Sequence, residues 1–156
     1  MLPSEGERTV ALRDGSRVSF KGGLMMVRFF DRQELSNPVN GTNISTKADL
    51  LAELNSLSYR KPFFCELAEE NSYNLLIGLG GAVGCVQYSA ADGSTPYLMA
   101  VGPDGFEQEG FEEFLIDDTA TPVARRYCMS FDLVKEVAVY FLETGDRNPL
   151  VTWEEI

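Results

Sequence analysis

The stretch Tyr73-Asn-Leu-Leu-Ile-Gly-Leu-Gly-Gly-Ala-Val-Gly-Cys-Val-Gln-Tyr88 decides the fold. Two apolar runs flank the pair Gly80-Gly81, and this pattern predicts two strands joined by a tight turn. The glycines also resemble a dinucleotide-binding loop, but that chemistry requires a helix to begin at the last glycines so that its amide groups face the pyrophosphate. Because the residues from Val83 onward continue as a strand, we interpret the stretch as a β-hairpin.

Further strand-like runs, separated by short turns, lie on both sides of this hairpin. Connections this short leave no room for crossover helices, so we expect antiparallel pairing. Near the N-terminus, two short runs flank the turn-forming segment Arg13-Asp-Gly-Ser16 and predict another hairpin. The predicted strands are residues 9–12, 17–20, 24–30, 63–69, 73–79, 83–89, 97–101 and 112–117, with a loop at residues 36–42.

Two segments have the apolar periodicity of amphipathic helices. The first runs from about Thr46 to Leu57 and is capped by Ser45 or Thr46, whereas the second covers residues 131–144, is capped by Ser130 and ends at Gly145. The predicted fold class is α+β, a mostly antiparallel β-sheet with two main helices packed on one face. We expect a single domain over residues 1–156.

Composition narrows the class of protein. The chain has 156 residues and is 44% hydrophobic, which excludes general disorder, and it has no apolar run of membrane-spanning length. With no secretory signal at the N-terminus, we expect a soluble, cytoplasmic protein. Its three cysteines are an odd number, each within an apolar run, so Cys65, Cys85 and Cys128 are predicted to be buried thiols.

The sequence contains no histidine. Histidine is the commonest general base and the commonest zinc ligand, and it activates Ser and Cys nucleophiles. A mechanism based on carboxylate, Lys or Tyr stays possible. We nevertheless expect no enzyme, with no catalytic residue, no metal and no cofactor.

Negative charge is concentrated in the middle of the chain. Residues 61–120 contain eleven Asp or Glu residues and one base, Lys61, whereas the first sixty residues contain eight bases and seven acids. Unpaired negative charge destabilises a compact fold unless it lies in solvent or meets a positive partner. The stretch is therefore either a solvated face or a surface for a basic protein. It argues against nucleic acid or an anionic membrane as partner, because both require Lys and Arg.

The densest part of this stretch, residues 104–118, contains neither Lys nor Arg. Aromatic residues lie among its acids, which suits an interface where rings anchor the partner and charges steer it. The same composition suits a loop folded onto the core, and a metal-binding or catalytic role of the carboxylates stays open. The candidate contact residues are Asp104, Glu107, Glu109, Glu112, Glu113, Asp117 and Asp118, with Phe106, Phe111 and Phe114 among them.

The only tryptophan, Trp153, lies near the C-terminus between apolar Val151 and Ile156. We interpret this segment as a terminal strand that docks its indole on the domain. Glu154 then points to the opposite face and is a further candidate contact. The pair Arg125-Arg126 is too small a basic patch for nucleic acid and is predicted to bind nearby acids.

Three segments, in this order, resemble the first-numbered (Imm-one type) immunity protein family of bacterial polymorphic toxin systems. They are the glycine-rich strand pair 75–88, the helix 131–145 and the terminal Val151-Thr-Trp-Glu-Glu155. The resemblance covers about residues 73–156 and is weak before Ser45, so we divide the domain into an N-terminal hairpin region, residues 1–35, and a family-like core, residues 45–156. Positions that match the family's recurrent residues, and that we expect to be structural, are Gly78, Gly80, Tyr88, Phe141, Gly145 and Trp153; Glu154 also matches.

The resemblance implies a non-enzymatic, cytosolic antidote that binds a cognate toxin domain, often a deaminase or nuclease acting on nucleic acid, and blocks its active site. An acidic inhibitor suits such a toxin, because a basic substrate groove attracts it and is shielded by it. Two other interpretations stay open. One is an acidic adaptor or nucleic-acid mimic that inhibits another basic protein, and the other is a hydrolase that uses two convergent carboxylates.

Overall fold

The computed structural model describes residues 26–69, 72–95, 97–103 and 109–156, together with the backbone of two strands at residues 7–11 and 17–21. Two α-helices are present in this part of the chain, α1 (Lys47–Leu57) and α2 (Phe131–Thr144). The strands are β1 (Glu7–Ala11), β2 (Arg17–Lys21), β3 (Val27–Asp31), β4 (Thr42–Ile44), β5 (Phe63–Ala68), β6 (Tyr73–Leu79), β7 (Val83–Ala90), β8 (Tyr97–Val101), β9 (Phe111–Ile116), β10 (Thr119–Ala124), β11 (Met129–Ser130) and β12 (Thr152–Glu155).

Ten of these strands form one sheet, whose main path runs β10-β9-β5-β6-β7-β8-β12. From β5 to β8 the chain makes an antiparallel meander, and β12 pairs antiparallel with β8. On its other edge, β5 pairs antiparallel with β3 and meets β9 in parallel at Phe63 and Leu115. Strands β1 and β2 form an antiparallel two-stranded sheet of their own. The predicted α+β class with a mostly antiparallel sheet is confirmed.

The helix boundaries follow from capping groups in the sequence. Thr46 Oγ1 accepts a hydrogen bond of 3.1 Å from the amide of Asp49 at the start of α1, and Ser130 Oγ accepts one of 3.2 Å from the amide of Leu133 at the start of α2. Helix α2 ends at Gly145, whose φ of 74° lies in the left-handed region that glycine adopts without strain. Both predicted helices are therefore confirmed.

The glycine-rich stretch is a hairpin, as the sequence predicted: β6 and β7 pair antiparallel from Tyr73 with Ala90 to Gly78 with Cys85. Gly80 has a φ of 118°, and a β-carbon there would lie 2.5 Å from the carbonyl oxygen of Arg60. Because β7 follows directly, no helix begins at these glycines, and the dinucleotide-loop interpretation is wrong for this chain.

Three strands were not predicted, namely β4, β10 and β11. The sequence of β10, Thr-Ala-Thr-Pro-Val-Ala, contains Pro122, which has no amide hydrogen for a ladder bond. β10 lies at one end of the sheet, where such a residue is tolerated. The strand predicted at residues 24–30 is observed as β3, and that strand pairs with β5 in the large sheet. Outside the described residues lie the turn 13–16, Leu24 and Asn71.

The sheet has a core on each of its faces. The helices cover one face, where Leu50, Leu54, Val134 and Phe141 pack with alternate residues of β5, β6 and β7. The opposite face has a smaller core made of Phe64, Cys85, Met99, Phe114 and Val123. Because Phe114 belongs to β9 and Val123 to β10, the β9–β10 hairpin contributes directly to this second core.

The second core is closely packed at Gly78. A β-carbon built on Gly78 would lie 2.6 Å from Cys85 Sγ and 2.8 Å from Phe114 Cδ1, both well inside normal contact distance. The Phe114 ring also lies against Phe64, with 5.4 Å between ring centroids. The absence of a side chain at Gly78 is therefore what lets the Phe114 ring of β9 pack against β6.

Trp153 on β12 packs against the main core, as predicted. Its Nε1 donates a 3.0 Å hydrogen bond to the carbonyl oxygen of Asn148, and its ring meets Tyr88 edge to face with 6.1 Å between centroids. The same tyrosine meets Phe141 edge to face, and its hydroxyl lies 3.4 Å from the carbonyl oxygen of Gly145. Three other family-motif positions, Phe141, Gly145 and Trp153, thus contact the side chain of Tyr88.

Replacement of Trp153 by alanine is predicted to lower the free energy of unfolding by about 3 kcal/mol. This value is near the lower end of the usual loss for truncating a large packed aromatic residue, because the Trp153 side chain is only partly buried. Urea denaturation of both proteins measures the difference. Glu155→Ala, an exposed change on the same strand, is the control and is expected to shift stability by less than about 0.5 kcal/mol. A Trp153→Ala curve that overlays the parent curve would show that the indole does not stabilise the strand.

Candidate functional site

Five of the acids predicted to contact a partner lie on or next to the β9–β10 hairpin. Glu109 lies just before β9, Glu112 and Glu113 lie within it, and Asp117-Asp118 forms the turn to β10. Asp104, Glu107 and Phe106 lie outside the described residues. Five of the predicted contact residues are therefore brought together by a single supersecondary unit.

Alternation along β9 separates its buried and exposed side chains. Phe114 is 1% exposed, and Ile116, on the same face, also packs on the second core. Phe111 and Glu113 lie on the other face, where Phe111 is 65% exposed and Glu113 is also exposed. Of the two described aromatics in this stretch, one is thus a core residue and the other an exposed ring beside a carboxylate.

The exposed carboxylates of the hairpin have little internal charge compensation. Within the described residues, Glu109, Glu113 and Asp117 form no ion pair, whereas Glu112 Oε1 lies 3.2 Å from Nε of Arg125. That pair is largely exposed, so its net contribution to stability is small. Among the described residues, the negative charge of the hairpin is therefore mostly uncompensated by ion pairs.

The turn Asp117-Asp118 holds its backbone in an uncommon conformation. Their φ values are 46° and 61°, as a two-residue type I′ hairpin turn requires. Asp tolerates positive φ better than most residues, although less well than Gly. Two hydrogen bonds secure the turn. Asp117 N–H donates one of 2.9 Å to the carbonyl oxygen of Arg32, and Asp118 N–H donates one of 2.8 Å to Gln33 Oε1.

Asp31, at the end of β3, organises the segment that holds this turn. Its side chain is fully buried, and Oδ2 accepts a 2.7 Å hydrogen bond from Arg60 Nη1. Burial alone would raise the pKa of Asp31, but hydrogen bonds from Arg60, from the amides of Gln33 and Glu34, and from Asn37 outweigh it and hold the pKa below its usual range. The carboxylate therefore stays charged and fixes the start of the loop that follows.

Glu154 differs from the hairpin acids. Its Oε2 accepts a 2.6 Å hydrogen bond from Arg126, and its Oε1 accepts one of 2.8 Å from the Tyr127 hydroxyl. Burial and this bond to Glu154 raise the pKa of Tyr127, so the phenol remains the donor. The predicted pairing of Arg125 and Arg126 with local acids is confirmed, and the Glu154 carboxylate already has partners within the chain.

The cysteines offer no activated thiol. All three are free, and burial raises the pKa of Cys65 and Cys85 far above its usual value. Cys128 is only partly buried, unlike the prediction, and burial raises its pKa to about 11. A protonated thiol is a weak nucleophile and a poor metal ligand. Across the part of the chain that the structure describes, no three His, Cys, Asp or Glu side chains are grouped as a metal site, and no helix is long and apolar enough to cross a membrane.

Two surface features were missed by sequence reasoning. One is an open groove of about 650 Å³ between α1 and α2, where exposed Leu150 lies beside Val139 and Tyr140. The other is the β3–β4 loop, residues 32–41, which exposes Leu35 and Val39. Periodicity identifies the buried face of a helix or strand, but it does not identify exposed apolar side chains in a groove or loop.

Comparison with known proteins gives one match. Residues 40–155 match the family described as Immunity protein Imm1. The matched segment runs from just before β4 to the end of β12 and so contains both helices, the β6–β7 hairpin, the acidic β9–β10 hairpin and Trp153. No curated protein and no solved structure among those compared matches the chain. Since the match extends over well more than half of the chain, this protein belongs to the Imm1 family of immunity proteins.

Proposed function

We propose that this protein neutralises a cognate toxin by binding the toxin domain and covering its active site with the exposed face of the β9–β10 hairpin. Membership of an immunity protein family indicates toxin immunity and implies a toxin partner. The choice of surface rests on one observation: β9 presents an exposed aromatic ring, Phe111, on the same strand face as Glu113, whose exposed carboxylate forms no ion pair with another described residue.

The proposed toxin class is a protein that acts on nucleic acid, such as a deaminase or nuclease. Such a protein binds a polyanion and therefore needs a basic groove. The immunity protein has a net charge of −11, and its hairpin acids are mostly unpaired within the described residues. Opposite charges on the two proteins accelerate their association and exclude the substrate from the groove.

Within this surface the ring and the charges have separate tasks. Phe111 supplies buried apolar area on binding, the property that most often gives an interface residue a large energetic effect. The carboxylates act before contact, by steering, and at the rim of the interface. The proposed contacts are the hairpin acids Glu109, Glu112, Glu113, Asp117 and Asp118 together with Asp104 and Glu107. Glu154 is the weakest of the predicted contacts, because its carboxylate is bound to Arg126 and Tyr127.

Protection by occlusion needs no turnover. In this proposal the protein acts in the cytoplasm of the cell that makes the toxin. One molecule of the immunity protein inactivates one toxin domain. The exposed position of the hairpin acids supports this proposal over a hydrolase, since a catalytic carboxylate pair works in a concave, water-excluding site.

The steering role predicts that the position of a charge reversal matters. Glu113→Lys and Glu143→Lys change the net charge equally and both alter exposed side chains, but only Glu113 lies on the hairpin. At low ionic strength, Glu113→Lys is expected to slow association with the toxin domain encoded by the neighbouring gene by roughly five-fold, because rim charges act mainly on the association rate. Glu143→Lys is expected to slow it clearly less.

Stopped-flow association rates at low and high salt make this comparison. The gap between the two variants should shrink at high salt, where exposed charges are screened. Equal slowing by both variants, or a parent association rate that is indifferent to salt, would contradict steering by the hairpin.

The anchoring role predicts that Phe111→Ala weakens toxin binding by about 2 kcal/mol while the free energy of unfolding stays nearly unchanged, because the ring is already 65% exposed. Leu150→Ala is the matched control, since Leu150 is 82% exposed and lies at the groove between α1 and α2. Calorimetric titration gives both affinities and urea denaturation both stabilities. Equal affinities for the two variants would place the anchor elsewhere.

A further inference from the structure

The β3–β4 loop, residues 32–41, exposes two apolar side chains to solvent. Leu35 is 57% exposed and Val39 is 36% exposed. A single exposed apolar residue is ordinary on any protein surface. Two on one short loop are informative when the loop is held in one conformation, because a rigid loop presents them to a partner at little cost in entropy.

Hydrogen bonds hold this loop along almost its whole length. At its start, Asp31 Oδ1 accepts from the amides of Gln33 and Glu34 at 2.9 and 2.7 Å. Asn37 Nδ2 donates 3.1 Å to the other oxygen of the same carboxylate. Asn40 closes the loop, because its Oδ1 accepts from the amide of Asp31 at 2.6 Å and its Nδ2 lies 3.2 Å from the carbonyl oxygen of Leu35.

The loop is also joined to the acidic hairpin. The Gln33 side chain binds Asp118 twice: its amide group donates to the carboxylate, and its oxygen accepts from the Asp118 N–H. The carbonyl oxygen of Arg32 accepts from Asp117 N–H. The loop and the turn between β9 and β10 therefore form one continuous surface. This surface contains the exposed side chain of Leu35, on the loop, and the exposed acids of the turn.

The charge of this joint surface is negative. Glu34, Asp117 and Asp118 are all exposed and form no ion pair within the described residues, whereas the neighbouring Arg32 is paired with Glu66. An apolar anchor surrounded by unpaired carboxylates is complementary to an apolar depression on a basic surface. A basic protein surface is also the partner proposed for the exposed face of the β9–β10 hairpin.

The position of the loop in the chain adds a second argument. The family match begins at residue 40, so residues 32–39 precede the segment shared with the Imm1 family. Contacts made there lie outside the matched segment. A binding protein that discriminates between partners of one fold needs contacts in addition to those that the partners share.

We propose that the β3–β4 loop is the specificity element of the interface, with Leu35 and Val39 inserting into an apolar depression beside the basic groove of the cognate toxin. The proposal rests on the proposed function, since its partner is the same toxin domain. It goes beyond the proposed function by extending the contact surface to apolar side chains outside the acidic stretch.

Binding of the full chain to the purified toxin domain encoded by the neighbouring gene tests this proposal. Leu35→Asp and Leu35→Lys both remove the apolar anchor but differ in charge. We expect Leu35→Asp to weaken the affinity about ten-fold and Leu35→Lys at least several-fold more, because the partner is basic. Val39→Ala should weaken it by a smaller factor, and the control Leu150→Ala should leave it within about two-fold.

Urea denaturation accompanies each variant, and an unchanged midpoint shows that the loop substitution acts on binding and not on folding. If the parent protein binds the toxin domain tightly and the Leu35 and Val39 variants bind equally well, the loop is not a contact, although the proposed function stands. If Leu35→Lys binds as well as or better than Leu35→Asp, the partner surface at this point is not basic, and the inference is wrong. If the parent itself neither binds nor inhibits the toxin domain, the proposed function fails, and this inference fails with it.

Discussion

The contact between the Phe114 ring and the backbone of β6 at Gly78 determines how the proposed surface is displayed. Any side chain at Gly78 would collide with Phe114 and with the Cys85 thiol, so a glycine is required there for the Phe114 ring to pack on the second face of the sheet. With Phe114 on the second face of the sheet, alternation along β9 puts Phe111 and Glu113 on the other face, where both side chains are exposed although Leu115 on that same face packs on the main core. Gly78, a family-motif glycine inside the strand predicted at residues 73–79, is in the structure the position against which the Phe114 ring of the β9–β10 hairpin packs.

The surface that results is rigid and negatively charged. The turn acids Asp117 and Asp118 adopt a left-handed backbone conformation. Their amides donate hydrogen bonds to Arg32 and Gln33, which belong to a loop whose start is held by hydrogen bonds to the Asp31 carboxylate. Gathering carboxylates in this way opposes folding by self-repulsion, and the exposed pairs that relieve it, such as Glu112 with Arg125, contribute little. Such an arrangement is expected where a charged surface is retained for binding rather than for stability.

Local sequence signals predicted most of the fold, because they act within a few residues. Thr46, Ser130 and Gly145 determine the helix ends, and the apolar runs around Gly80 determine the central hairpin. The strand β10 was missed, because its Pro122 is acceptable only at a sheet edge, and edge position is a property of the whole sheet. The acidic stretch, by contrast, could be recognised from the amino-acid composition. The difference between Phe111 and Phe114 depends on strand register, and the link from Gln33 to Asp118 spans 85 positions, so neither can be read from local sequence.

If the hairpin occludes the toxin as proposed, protection results from occupation of the toxin by one immunity protein, without turnover. Titration of the purified protein into a fixed, known concentration of active toxin domain measures the stoichiometry of protection. Toxin activity is expected to fall linearly and to reach its endpoint near one immunity protein per toxin. Complete protection at a strongly substoichiometric ratio would mean that each molecule inactivates many toxins, and the account of binding and occlusion would be wrong.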